Sequence, residues 1–124
     1  MDNTNDSLTG QIIGCAIEVH RILGPGLLES IYEKALMHEL SLAGLRCENQ
    51  VVVPVVYKGK TLGEYRLDLL VESSVVVEIK AVDRKDPVFE AQLLSYLHMT
   101  GKKLGLLMNF NVPILKNGIR RIVL

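Results

Sequence analysis

Asp68, Glu78 and Lys80 sit in two neighbouring runs, "EYRLDLLV" and "VVVEIKAV", that are otherwise rich in apolar residues. Successive residues of a strand face opposite sides, so Glu78 and Lys80 share a face with Val76 and Val82, while Val75, Val77, Ile79 and Ala81 take the other. Carboxylate oxygens are hard ligands suited to Mg²⁺ or Mn²⁺, ions that keep positions open for water and for a phosphate oxygen. An ion held there activates a water and offsets charge building on a phosphoryl group, and a nearby ammonium orients the attacking water. The chemistry these three groups suit is hydrolysis of a phosphate ester. The plainer reading of "EIK" is a strand-end ion pair with its stems covered and its heads in water.

Whether Asp68 can join the other two depends on loop length. Residues directly opposite each other in an antiparallel pair point to the same side. A two-residue Ser73-Ser74 turn pairs Glu72 with Val75 and sets Asp68 opposite Ile79, on the wrong face. The chemical reading therefore requires an odd number of loop residues, a three-residue loop or a bulge between Glu72 and Val75.

Two helical stretches add polar groups. Gln92 and Tyr96 lie four apart and stack on one helix face, where both can hydrogen-bond to a phosphate or to a bound water. Alone, they also suit a polar-edged core contact. In "GPGLLESIY", Glu29 falls in the first turn of a helix, where a carboxylate is favoured by the helix dipole whatever else it does; Tyr32 follows one turn later on the same face.

The elements that must position these groups can be read from periodicity. Leu8, Ile12, Ile13, Ala16, Ile17 and Val19 mark a helix from Leu8 to Leu23, with Asp6 or Ser7 as its cap, ending at Gly24-Pro25-Gly26. A second helix runs from about Leu27 to Ala43, with Gly44 at its C-terminal cap. Cys47 to Val82 is β-branched and divides at "KGK" and "ESS" into a meander of three antiparallel strands. Pro54 puts the first of these at a sheet edge or marks a bulge. Asp86-Pro87 opens a third helix reaching Gly101, and "KLGLLMNF" and "IRRIVL" are two last strands. The expected fold is α/β (α+β), order ααβββαββ, with a mixed sheet flanked by helices in one domain over residues 1–124.

In that order the motifs resemble the GxxExxY family, a compact branch of the PD-(D/E)xK nuclease superfamily, over nearly the whole chain. "GLLESIY" reads as GxxExxY itself, and "RLDLLVESSVVVEIKAV", "AQLLSYL" and "GLLMNF" follow. The one departure is "NFNVPILKNG", where the family has Gly directly after Asn-Phe; it bears on a turn after the fourth strand. The resemblance implies a restriction-endonuclease-like core in which Asp68 and Glu78 are the motif's two acids and Lys80 its lysine. It implies that Gln92 and Tyr96 are the QxxxY element and Glu29 an extra acid on the preceding helix. His20, in "EVHRILGPG", and Tyr32 are further candidates, His20 otherwise being a polar residue at a helix end. The implied activity is a Mg²⁺- or Mn²⁺-dependent nuclease acting on nucleic acid, with DNA expected before RNA.

Composition limits the alternatives. The chain has 124 residues, 48% hydrophobic and 5% aromatic with no Trp, enough for an aliphatic core without metal or disulfide staples. Fourteen basic and fourteen acidic residues cancel, so any nucleic-acid surface is local, drawn from groups such as Arg84, Lys85, Lys102, Lys103, Arg120 and Arg121. Two distant cysteines, Cys15 and Cys47, fit neither a metal site nor a disulfide framework and suggest a reducing, cytoplasmic setting. The first residues, "MDNTNDSLTG", lack a signal pattern, and no apolar run is long enough to span a membrane. Small size makes a homodimer plausible. The competing expectation is a non-catalytic binding or assembly module that keeps the fold and docks through apolar surface such as the edge "VVVPVV".

Overall fold

A computed structural model describes residues 4–124. Helices α1 (Thr4–Leu23) and α2 (Glu29–Leu42) come first, then strands β1 (Cys47–Tyr57), β2 (Lys60–Val71) and β3 (Val75–Lys80). Helix α3 (Pro87–Thr100), strand β4 (Leu104–Asn109), a short 3₁₀ turn (Leu115–Gly118) and strand β5 (Ile119–Val123) complete the chain. The sheet order is β1-β2-β3-β4-β5, with β3 and β4 parallel and all other neighbours antiparallel. This is the ααβββαββ order, with one addition, the 3₁₀ turn. The expected cap positions, Asp6 and Ser7, lie inside the span of α1 and not ahead of it.

The helices cover both sheet faces. Ile12, Ala16 and Val19 of α1 and Tyr32, Leu36 and Leu40 of α2 pack with Val75, Val77 and Ile79 of β3 and Leu104, Leu106 and Met108 of β4. On the other face Leu93 and Leu97 of α3 pack with Val76, Leu70, Leu67, Val53 and Leu107. The even and odd residues of β3 thus go to different cores, as alternation demands. Gly105 lets α3 come close: a Cβ there would stand 2.8 Å from Leu93 Cδ1. The ends of the helices follow local chemistry. Asp86 accepts a hydrogen bond from the Val88 N–H (3.0 Å) with Pro87 at the first helical position, and Gly44 follows α2 at φ 78°, a conformation cheap for glycine.

The β2–β3 connection contains three residues. Val71 pairs with Val75, Leu70 with Val76 and Leu69 with Val77, leaving Glu72, Ser73 and Ser74 in the loop. Glu72 (φ 52°) and Ser73 (φ 53°) are both left-handed, as the central residues of a type I′ turn must be. Each non-glycine residue there costs about 1–2 kcal/mol. Hydrogen bonds offset part of this: Ser74 N–H to Val71 O (3.0 Å), Glu72 N–H to Arg46 O (2.9 Å) and Arg46 N–H to Glu72 Oε2 (2.6 Å). β1 is an edge strand, the position where a proline is tolerated in a sheet; Pro54 pairs with Glu64 of β2, and the register shift lies just beyond it, at Val55/Val56.

Candidate functional site

The site lies where β2 and β3 separate. Their regular pairing ends at Leu69–Val77, and continuing that register sets Asp68 opposite Glu78. Beyond this point the ladder is replaced by side chains: Asp68 Oδ2 accepts from the Ile79 N–H (2.7 Å), and Glu78 Oε1 accepts from the Asp68 N–H (3.2 Å). Each strand's carboxylate therefore serves a backbone amide at the split. The odd-length loop is what turns Asp68 towards Glu78.

The split has a second cause on the far side of β2. Gln50 and Asp68 form no pair although their neighbours on both sides do, and Gln50 is left-handed at φ 51°. Across this position the hairpin changes faces: Leu69 packs in the α1/α2 core, whereas Leu67, two residues away, packs in the α3 core. Strict alternation would have put both on one side. Asp68 stands at the reversal, half-buried between Leu67 and Leu69. Gln50 itself donates from Nε2 to Glu33 Oε1 (2.7 Å).

Burial makes this carboxylate pair unstable as two anions. Glu78 is only 7% exposed. Loss of water raises its pKa most, the Asp68 charge adds to this, and the Asp68 N–H and Lys80 oppose it; the result is pushed up to about 8. Either a proton or a cation must offset the second negative charge near neutral pH.

The remaining groups approach from different directions. Tyr96 on α3 feels the charges of Glu78 and Asp68, although burial is the larger reason its phenol is raised. Its ring lies 5.5 Å from that of Tyr65. Gln92, one turn earlier, is exposed. Lys80 shares the Glu78 face, but its Nζ rests 4.6 Å above the centre of the Phe89 ring. Glu29, the first residue of α2, accepts from the Ala81 N–H (3.1 Å) through Oε2 just past the end of β3. It lines an open recess with Asp68, Gln50 and Ile79. Asp68 and Glu78 meet, then, and Glu29 stands at the recess of Asp68. Among the described residues no three Asp, Glu, His or Cys side chains are grouped closely enough to hold one ion.

Tyr32 and His20 hold backbone in place. The Tyr32 hydroxyl donates to Gly24 O (2.6 Å) and accepts from the Leu27 N–H (3.0 Å), and its ring stacks on Phe110 at 4.5 Å. This pins the Gly24–Gly26 turn and so sets where α2 and Glu29 begin. His20 Nε2 lies 2.8 Å from Val112 O, tying α1 to the segment after β4. Sequence reasoning missed Phe89, Tyr65 and Asn109. Asn109, paired with Lys80 in the parallel register, accepts from the Val82 N–H (3.1 Å) and donates to Val82 O (3.0 Å), which holds the chain as it leaves β3. An aromatic two residues after the helix-opening Pro87 was the available signal for Phe89, but only the fold sets it under Lys80.

A family model described as the PD-(D/E)XK nuclease superfamily matches residues 6–122. No curated protein matches the chain, and no solved structure does. The five-stranded mixed sheet with helices on both faces agrees with the restriction-endonuclease-like architecture of that superfamily. No helix among the described residues is long and apolar enough to cross a membrane.

Proposed function

The chain belongs to the PD-(D/E)XK nuclease superfamily, and from that premise we propose that it is a divalent-metal-dependent phosphodiesterase acting on nucleic acid. The observation that carries this reading is the apposition of Asp68 and a buried Glu78 at the open end of the β2–β3 pair. Two hard carboxylates in mutual repulsion are a donor set that fits Mg²⁺ or Mn²⁺ and is stabilised by either. Such an ion supplies a polarised water and offsets charge on the phosphate oxygens.

The chain's own residues do the rest. Asp68 and Glu78 hold the ion, and Glu29 reaches it directly or through a water from the recess it shares with Asp68. Lys80 leaves the Phe89 ring to orient the attacking water and to donate to a phosphate oxygen. Tyr96 and Gln92, from α3, hydrogen-bond to the phosphate and keep Glu78 in place. In this reading the chain is one domain of the GxxExxY branch, supported by the spacing of Gly26, Glu29 and Tyr32. Its setting is cytoplasmic, its substrate DNA before RNA, and it acts as a homodimer, since one small domain offers little surface for a polymer.

A second reading has its own support. Asp68 and Glu78 already bond to backbone amides, Lys80 lies on Phe89, and Glu29 is bonded at Ala81, which would suit a binding or assembly module that keeps the fold without catalysis. Calorimetry with Mn²⁺ separates the two: wild type should bind and Asp68→Ala should not. With Mg²⁺ and labelled single-stranded, duplex and branched DNA, Glu78→Ala and Lys80→Ala should each lower cleavage by about 10²–10³-fold. Cleavage that survives both substitutions would overturn the assignment, and absence of metal binding in wild type favours the second reading.

A further inference from the structure

A cavity of about 320 Å³ opens beside Lys80, between the end of β3 and the start of α3. Phe89, Pro87, Val82 and Leu107 make its surface mostly apolar, and its size is at the small end of pockets that bury an organic ligand. Its rim is charged, and the two signs are not equally engaged. Asp86 is committed to the Val88 N–H as the cap of α3, and Glu90 pairs with Arg120 at 3.4 Å. Lys80 and Lys85 form no ion pair among the described residues. An aromatic floor under the Lys80 ammonium, with Lys85 also outside any ion pair at the rim, suits a flat, apolar-faced ring attached to an anion, and suits an aliphatic side chain or a lipid tail less well.

Asn109 narrows the choice further. Its amide already bonds to Val82 N–H, Val82 O and the Asn111 N–H, so little of it remains to read the edge of a base. Recognition here rests on stacking, which tolerates any base because every base has a π-face.

We propose that this cavity receives the unpaired base beside the phosphate that Lys80 faces, stacked on Phe89, so that the substrate is a single strand or a duplex with an unpaired stretch. The inference rests on the phosphodiesterase reading, because that reading sets the phosphate next to Lys80. Bases inside a duplex are paired and stacked, and extruding one costs a few kcal/mol. The Lys80 ammonium occupies the Phe89 ring face in the structure; an entering base competes for that face and turns Lys80 out towards the phosphate. Base capture and the positioning of Lys80 become a single event.

The test measures binding in EDTA at fixed moderate salt, by anisotropy of a short labelled oligonucleotide in three forms: single-stranded, duplex, and single-stranded with abasic sites. The intact single strand should bind about tenfold more tightly than either other form, the scale of one stacked base. Phe89→Leu should remove that preference and Phe89→Tyr should keep it. Val82→Phe, which fills the cavity while the Phe89 and Lys80 side chains are kept, should also remove it, with far-UV circular dichroism reporting the fold of each variant. Equal affinity for all three forms, or a preference that survives in folded Phe89→Leu and Val82→Phe, overturns the proposal. Adding Mg²⁺ separates it from the reading beneath it. Equal cleavage of duplex and single strand, unchanged by Phe89→Leu, overturns the cavity's role and leaves Asp68, Glu78 and Lys80 as assigned. A Phe89-dependent preference without cleavage in Mg²⁺ or Mn²⁺ supports the cavity and overturns the phosphodiesterase reading alone.

Discussion

The two ends of the β2–β3 hairpin are made from the same strands and behave oppositely. At the loop end, Leu69, Leu70 and Val71 face Val77, Val76 and Val75 in a regular ladder, all six buried. At the other end the ladder stops, and Asp68 and Glu78 take over the amides that backbone carbonyls would otherwise satisfy. The closed end gains from apolar burial and backbone pairing together. The open end holds two acids whose repulsion is offset only by a proton or a cation. The difference teaches that a ladder can be opened where a carboxylate on each strand replaces a carbonyl, leaving acceptor oxygens at a rim where a ligand can reach them.

The largest effect should come from the register that joins the two behaviours. Deleting Leu70 shortens β2 by one residue between Asp68 and the three-residue loop, which sets Asp68 opposite Val77 and so on the opposite face. Mn²⁺ binding by calorimetry and Mg²⁺-dependent cleavage should both vanish, while circular dichroism still reports a folded chain. Retained metal binding in that variant would mean the register is not what joins the acids. Next, at the closed end, Leu69→Ala should cost about 3 kcal/mol in urea denaturation, because Leu69 is fully buried beneath α2.

The open end should show itself through pH. The folded pKa of Glu78, about 8, lies above its ordinary 4.5, so the folded state keeps a proton that the unfolded chain releases. For the metal-free protein, that contribution is fully present below about pH 4.5 and is lost as pH rises through about 8. Glu78→Gln should flatten the profile. Asp68→Asn should flatten it only in part, because burial is a larger cause than the Asp68 charge. A wild-type melting temperature that does not fall between pH 5 and pH 8.5 would count against a buried acid pair. The smallest effect belongs to the turn: Ser73→Gly relieves a left-handed serine and should raise stability by roughly 0.5–1 kcal/mol without changing metal binding.

Much of this was legible without coordinates, for identifiable reasons. Helix ends announce themselves locally, as Asp86-Pro87 and Gly101 do for α3. A β-branched run broken at "ESS" could hardly be anything but a hairpin, and parity alone required an odd loop if Asp68 was to meet Glu78. Other features were hidden. The change of faces between Leu67 and Leu69 breaks the alternation on which strand reading depends, and it arises from a left-handed Gln50 on a different strand. Tyr32 read as a companion of Glu29, yet its hydroxyl closes the Gly24–Gly26 turn, because that turn folds back over its own helix.

The sequence by itself determined the order of elements, the face shared by Glu78 and Lys80, and the condition under which Asp68 could join them. These depend on local periodicity and on counting residues, which neighbours along the chain control. Tertiary structure alone decided that Lys80 lies on Phe89, that Glu29 is bonded at Ala81 while sharing a recess with Asp68, and that a cavity opens beside the lysine. Those relations join residues far apart in the chain, and their geometry follows from how closely α2 and α3 settle on the two faces of the sheet.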